Sequence, residues 1–351
     1  MEALRSNMLA IIEQTDYEHN CYMDNTRQFI LLMLLKVFMD GSAMYLCCFR
    51  PLLSFFNMCS VSIVLVDLVL TVSMIATLWL DVQMTHMAMC SIMANFSAAY
   101  SALPVPLVCL AILDYYLEDI CAGRKYIKLV RNPVLIILMW SIAGLYAHVT
   151  VDATLLEQSR NIKYIVCEIK ESKAVTYSIV GLTTVMFITL LPFLSLIPHW
   201  VKEADRISEA REEIAERRTS DLMIDINGED TKCTKKEFAM PRPPMCISLL
   251  ICFGVFWIPY LTVTTLCVMF EFGIPAYIGV NLLWVQCVNS LLAGVVFWVR
   301  SDIMMPYSSQ PENVCLWQAY WHLSTGTEDH HQLFATIFNP SKGERSTPFS
   351  V

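Results

Sequence analysis

Charged residues are scarce in this sequence, at 16% of 351 positions against 56% hydrophobic ones. Helices of a water-soluble domain need polar faces, and this balance leaves too few residues to supply them. An internal repeat is also missing, and seven apolar segments do not divide into equal halves, which argues against a repeat-built transporter. No intramembrane His/Cys/Asp cluster has ligand spacing and no Ser–His pairing suggests a nucleophile, so neither an enzyme nor a metal or cofactor site is expected. A net charge of −8 gives no reason to expect a nucleic-acid partner.

What is present are seven apolar segments, near 28–49, 56–80, 90–117, 133–152, 175–199, 245–270 and 275–299. Each is long enough to cross about 30 Å of hydrocarbon. The expectation is an all-α membrane protein, a single seven-helix bundle in a lipid bilayer. An N-terminal segment (1–27) precedes the bundle (28–300), a long connection (200–243) lies within it, and a tail (301–351) follows.

Basic residues set the expected orientation, because Lys and Arg resist translocation. Arg124, Lys125, Lys128 and Arg131 lie between spans three and four, and nine basic residues lie between Lys202 and Arg242. The connections at 81–89 and 271–274 have neither Lys nor Arg. This predicts an extracellular N-terminus and a cytoplasmic tail. The only apolar run before span one is MLAII at 8–12, too short for a cleavable signal, so span one is expected to act as the signal anchor.

Most of the 14 cysteines lie within spans, where a thiol acts as a small apolar group. Cys21, Cys90 and Cys167 fall on the expected outer side. A bridge between Cys90 and Cys167 would pin the second outer loop over the bundle mouth, leaving Cys21 without an assigned partner.

Polar residues inside the spans are few, and each needs an explanation, since a charge at membrane depth costs at least about 2.5 kcal/mol. Lys36 and Asp40 stand one helical turn apart in span one and are expected to neutralise each other. Asp67 in span two has no partner in its own helix and must face the bundle interior. Pro104 and Pro106 should loosen span three, and Pro259 in span six removes the donor for the Val255 carbonyl and predicts a hinge beside Phe253, Phe256, Trp257 and Tyr260. Span four reads as starting at Pro133, a residue suited to a first helical turn. The segment after span five, 200–221, reads as a polar helical extension, and NVCLWQAYWHL at 313–323 as a segment lying on the membrane surface with Cys315 a lipidation candidate.

Taken in order, these features resemble the rhodopsin-like G-protein-coupled receptors. The resemblance covers about residues 28–300: Cys90 placed 24 residues before Asp114, Cys167 in the second loop, LVDLVL around Asp67, Trp140 in span four, FGVFWIPY in span six and NSLLAGVVF in span seven. It implies a Cys90–Cys167 disulfide and a receptor at the plasma membrane. An extracellular ligand would bind at the outer face, and a heterotrimeric G protein or arrestin at the cytoplasmic face. It also implies a conformational switch at Asp67, Asp114, Tyr115, Phe253, Trp257, Pro259, Asn289, Ser290 and Phe297. By position, Ser97, Ser101, Tyr260, Thr264, Asn281, Trp284 and Gln286 would line the ligand cavity. Ser97 stands where aminergic receptors carry an aspartate, so a peptide or a weakly charged organic ligand is expected.

Departures from the family pattern fall mostly at the inner face. Asp-Arg-Tyr is Asp114-Tyr115-Tyr116, and Asn-Pro-x-x-Tyr is Ala293-Gly294-Val295-Val296-Phe297. The family's sodium site keeps Asp67, Asn289, Ser290 and Trp257 but has Pro104 and Ala293 where oxygen ligands are expected, so weak or absent sodium binding is predicted. These losses make a receptor that couples poorly to G proteins the alternative reading, with a membrane transporter behind it. The ending Phe349-Ser350-Val351 is of the kind PDZ grooves accept by strand addition.

Overall fold

The computed structural model describes residues 8–16, 26–47, 54–79, 85–120, 125–151, 156–159, 162–220, 241–270, 272–300 and 314–325. Cys21, the connection 221–240 and Phe349-Ser350-Val351 lie outside them. Strand β1 (Met8–Asp16) is followed by helices α1 (Thr26–Cys47), α2 (Phe55–Trp79), α3 (Thr85–Ala102), α4 (Pro104–Ile120) and α5 (Lys125–Thr150). Strands β2 (Leu156–Ser159) and β3 (Ile162–Ile169) come next, then α6 (Lys173–Leu190), a 3₁₀ turn (Leu191–Phe193), α7 (Ile197–Ser220), α8 (Met245–Met269), α9 (Ala276–Gly279), α10 (Leu282–Arg300) and α11 (Trp317–Thr325). Among the described residues, seven helical segments are long and apolar enough to cross a membrane, with α3 and α4 forming one of them.

The burial pattern of α2 shows why such helices form a membrane bundle. Phe56, Ser60, Ile63, Asp67, Leu70 and Met74 recur every three or four residues and are buried, whereas Leu65, Leu68, Val69 and Val72 stand exposed. A helix with apolar residues on both faces and its polar groups inward suits lipid rather than water.

The prolines of span three interrupt the helix at Leu103, and the break is narrow. Leu103 N–H still bonds Ala99 O at 3.2 Å and Leu107 N–H bonds Leu103 O at 3.1 Å. Span four differs from expectation. Helix α5 starts at Lys125, with Pro133 inside it, so Arg131 and Asn132 are helical residues rather than loop residues. Span seven is likewise divided, since Pro275 precedes the short α9 and α10 starts only at Leu282.

A three-stranded antiparallel sheet in the order β1-β3-β2 joins the N-terminal segment to the connection between spans four and five. The run MLAII begins β1, and Ala10 lies opposite Cys167, with a bulge between Ile11 and Glu13. Strand β3 is anchored just beyond its end, where Ala276 N–H bonds Lys170 O at 3.0 Å.

The chain forms two compact units. One comprises Met1–Thr184 and Trp257–Val314, the other Val185–Phe256 and Cys315–Val351. The first holds the sheet, α1 to α5 and α10; the second holds α7, the first part of α8, and α11. Helix α11 packs on α7 and buries Trp317, Ala319, Tyr320 and Leu323. Cys315 is buried as well. This corrects the surface-lying reading of 313–323, because the apolar face meant for lipid is spent on the protein and the Cys315 thiol is withdrawn from acylation.

Candidate functional site

Two polar clusters occupy the first unit, one at the level of Asp67 and one at Asp114. In the first, Lys36 on α1 reaches across to Asp67 on α2, with Nζ 2.8 Å from Oδ1 and 2.7 Å from Oδ2. Both side chains are buried, at 5% and 0% exposure, so this is an ion pair that bulk solvent does not screen. The ammonium also donates to the Tyr277 carbonyl, lies 3.5 Å from that of Val280, and stands 5.0 Å from the centre of the Tyr100 ring. Tyr100 on α3 donates its hydroxyl to Asp67 Oδ1 at 2.7 Å and packs edge-on against Trp140 on α5, 5.7 Å away. Trp140 in turn donates to Ser62 Oγ at 3.1 Å. Asp67 is thereby tied to α1 and α3, and through Tyr100 and Trp140 to α5.

Lys36 makes its direct ion pair with Asp67, while Asp40, the partner expected from the sequence, stays close enough for the two charges to act on each other. Asp40 lies on the same helix as Lys36, whereas Asp67 faces α1 from the neighbouring helix, where the flexible four-carbon stem of lysine delivers the charge directly. Asp40 instead accepts the N–H of Leu282, the first residue of α10, at 3.3 Å. Asn281 accepts the N–H of Trp284 at 2.8 Å. The start of α10 therefore has two side-chain caps, one from its own N-cap residue and one from α1. Asn281→Ala is expected to cost about 1 kcal/mol, measured by thermal unfolding of the purified protein.

At the second cluster Asp114 pairs with Arg131 from α5, each side chain 13% exposed. The arginine that the resembled receptors carry beside this aspartate is missing from the sequence, yet a cation arrives from another helix. The sequence places Arg131 in a loop before Pro133, whereas helix α5 already starts at Lys125 and carries it to Asp114. Tyr115, which takes the place of the family arginine, donates to Asn289 Oδ1 on α10 at 3.0 Å and packs 6.3 Å from the ring of Phe56. Span three is thus joined to α5 by a charge pair and to α10 by a hydroxyl.

The residues expected to line a ligand cavity are engaged within the protein. Ser97, Ser101 and Thr264 donate to backbone carbonyls of their own helices, at 3.0, 2.8 and 2.9 Å. Ser97 is fully buried and also accepts the Lys170 N–H at 3.2 Å, beneath the end of β3. Gln286 donates to Ser60 Oγ at 3.3 Å, Trp284 is buried, and Tyr260 stacks edge-on with Trp257 at 6.4 Å. Phe253, Trp257, Ser290 and Phe297 are buried; Pro259 is exposed within an unbroken α8. Cys90 is disulfide-bonded, and Cys167 lies on β3.

The sodium site of the resembled family does not fit these residues. Both Asp67 oxygens lie within 3 Å of the Lys36 ammonium, a fixed positive charge where a mobile cation would have to enter, and Asn289 is bonded to Tyr115. Few oxygens are left for a hard cation, which wants several.

No family model matches the chain. It is 24% identical over 251 residues to the probable G-protein coupled receptor 160 of Rattus norvegicus, a match that covers 70% of this chain and 72% of the relative. To the Mus musculus protein of that name it is 25% identical, over 68% and 69% of the two chains. A match of 38% to the Homo sapiens protein covers 50 residues, 14% of this chain. With the seven apolar helices, these relatives support a receptor of the G-protein-coupled type. Such a receptor is a multi-pass membrane protein with no catalytic duty, and the two polar clusters are then parts of its interior rather than pieces of an active site.

Proposed function

We propose that the chain is a rhodopsin-like receptor, similar to the probable G-protein coupled receptor 160, that takes an extracellular ligand and passes the signal through helix rearrangement to its cytoplasmic face. The ordered set of seven spans, together with relatives matched over about 70% of the chain, carries the reading. The distribution of Lys and Arg supports an outer N-terminus and an inner tail. An epitope added at the N-terminus is then expected to be stained on intact, unpermeabilised cells, and one at the C-terminus only after permeabilisation; the reverse pattern overturns the orientation and the plasma-membrane assignment.

The β1-β3-β2 sheet packs on α3 at the end read as outer, and the proposed Cys90–Cys167 bridge would hold β3 to α3. Both β1 and β2 are edge strands, a feature that favours a peptide, which can add as a further strand. Below it, the cavity residues Ser97, Ser101, Tyr260, Thr264, Asn281, Trp284 and Gln286 would be exposed to ligand only as their present contacts open. Cys90→Ser and Cys167→Ser should each lower surface expression to the same extent, and the double variant should be no worse than either; additive losses would separate the two cysteines.

Poor coupling to G proteins is the second reading, and Tyr115 favours it. Its hydroxyl is held by Asn289 and offers no positive charge to a transducer. Nucleotide exchange on purified heterotrimeric G proteins should show little stimulation by the receptor; robust exchange in the unaltered protein rejects this reading. Arrestin at the cytoplasmic face and a PDZ domain at Phe349-Ser350-Val351 remain proposed partners on the same footing.

A further inference from the structure

The second unit contains a contact that the receptor reading does not require. Its tail helix α11 lies on α7, and its backbone is gripped by α8. Ser248 Oγ donates to the Tyr320 carbonyl, and Arg242, just before α8, donates from Nη1 to the Thr325 carbonyl at 3.3 Å. Trp317, Tyr320 and Leu323 recur every third residue and are buried. On the receiving side Trp200 and Ala204, one turn apart on α7, and Ser248, Ile251 and Cys252 on α8 are buried too. The thiols of Cys252 and Cys315 are within hydrogen-bonding contact of each other. Burial pushes the Tyr320 phenol well above its ordinary range, with Cys252 and Asp205 adding to the shift.

We infer that α11 is a built-in clasp: it holds the first turns of α7 to the first turns of α8 and covers the faces it packs on, so that a cytoplasmic partner needing those faces can engage only after α11 leaves. The partner is of the kind α11 itself imitates, a short helix with a large apolar residue at every third or fourth position. The cytoplasmic placement rests on the receptor reading above. The covering of α7 and α8 by α11 does not.

Each outcome can therefore be assigned. In the full-length purified protein, maleimide labelling of Cys252 and Cys315 is compared with that of Cys246, an exposed thiol near the start of α8. Cys246 should label fast in every variant. Cys252 and Cys315 should label slowly in the unaltered chain, and faster by on the order of tenfold or more when Trp317→Ala and Leu323→Ala remove the apolar face, since local opening then costs less. Ser248→Ala, which removes one hydrogen bond and little volume, should move both thiols the same way by a smaller factor. Fast labelling of Cys252 and Cys315 in the unaltered chain, or no acceleration in either variant, overturns the clasp. Nucleotide exchange is measured on the same samples. If the thiols behave as expected and exchange also rises in the variants, the shielding of a transducer surface is supported. If the thiols behave as expected and exchange stays flat, the covering stands and the proposal that a G protein is the excluded partner is overturned.

Discussion

Replacing Lys36 by Met is expected to cost about 3–5 kcal/mol, because it leaves the Asp67 carboxylate buried with no countercharge. Asp67 is 0% exposed, and of its described partners only Lys36 brings positive charge; the Tyr100 hydroxyl that remains is one neutral donor. Asp67→Leu alone should also be destabilising, though less, as it leaves the ammonium with two carbonyls and only the more distant Asp40 charge. Changing both residues together, Lys36→Met with Asp67→Leu, should recover part of either loss, because a buried pair replaced by apolar groups of similar volume is often neutral while the buried Asp40 still loses the nearby ammonium. The check is a double-mutant cycle on thermal unfolding midpoints of the purified receptor. Additive losses would mean that the two residues act independently, and a Lys36→Met loss within the 0.5 kcal/mol typical of surface changes would remove the pair from the account.

Arg131→Leu is the second large effect. It should destabilise by about 2–3 kcal/mol, less than at Lys36, because the Asp114 and Arg131 side chains retain 13% exposure and water can reach the stranded carboxylate. Its functional consequence separates it from a merely structural role. With Arg131 gone, span three is held to α5 less firmly at the end where a receptor would change shape, so basal nucleotide exchange should rise if any coupling is present. Tyr115→Phe deletes only the hydroxyl bonded to Asn289 and should shift basal exchange the same way at a stability cost of about 1 kcal/mol. Tyr115→Arg combined with Arg131→Gln puts an arginine beside Asp114, as in the resembled receptors, and is expected to raise exchange above that of either the unaltered receptor or Tyr115→Phe. If the combined variant stays at the unaltered level, the missing arginine is not what limits coupling.

The seven spans were legible because hydrophobic length is a local property, and so was the need for Asp67 to face inward. Which cation it meets was not legible. Lys36 and Asp67 are 31 residues apart, on separate helices whose rotation no spacing rule fixes, while the i,i+4 rule pointed to Asp40. Arg131 was missed for a related reason: Pro133 suggested a helix start, but α5 begins at Lys125 and carries Arg131 onto the face opposite Asp114. No strand is expected from the sequence, because half of residues 162–169 are not β-branched and the pairing of Met8 with Ile169 spans nearly half the sequence. Residues expected around a ligand cavity mostly have internal partners, since Ser, Thr and Asn in a membrane helix satisfy themselves on nearby backbone before any ligand is present.

What distinguishes this interior is that the charge compensating Asp67 is covalently part of the receptor. The most direct measurement of that claim is the thermal unfolding midpoint of the unaltered, purified receptor in sodium chloride and in choline chloride at equal ionic strength. With Lys36 on Asp67 the two midpoints should coincide across the titration, because the carboxylate is already neutralised and screening is the same in both salts. A midpoint that rises with sodium but not with choline, saturating as binding to the native state requires, would contradict the claim and return Asp67 to the role of a cation ligand.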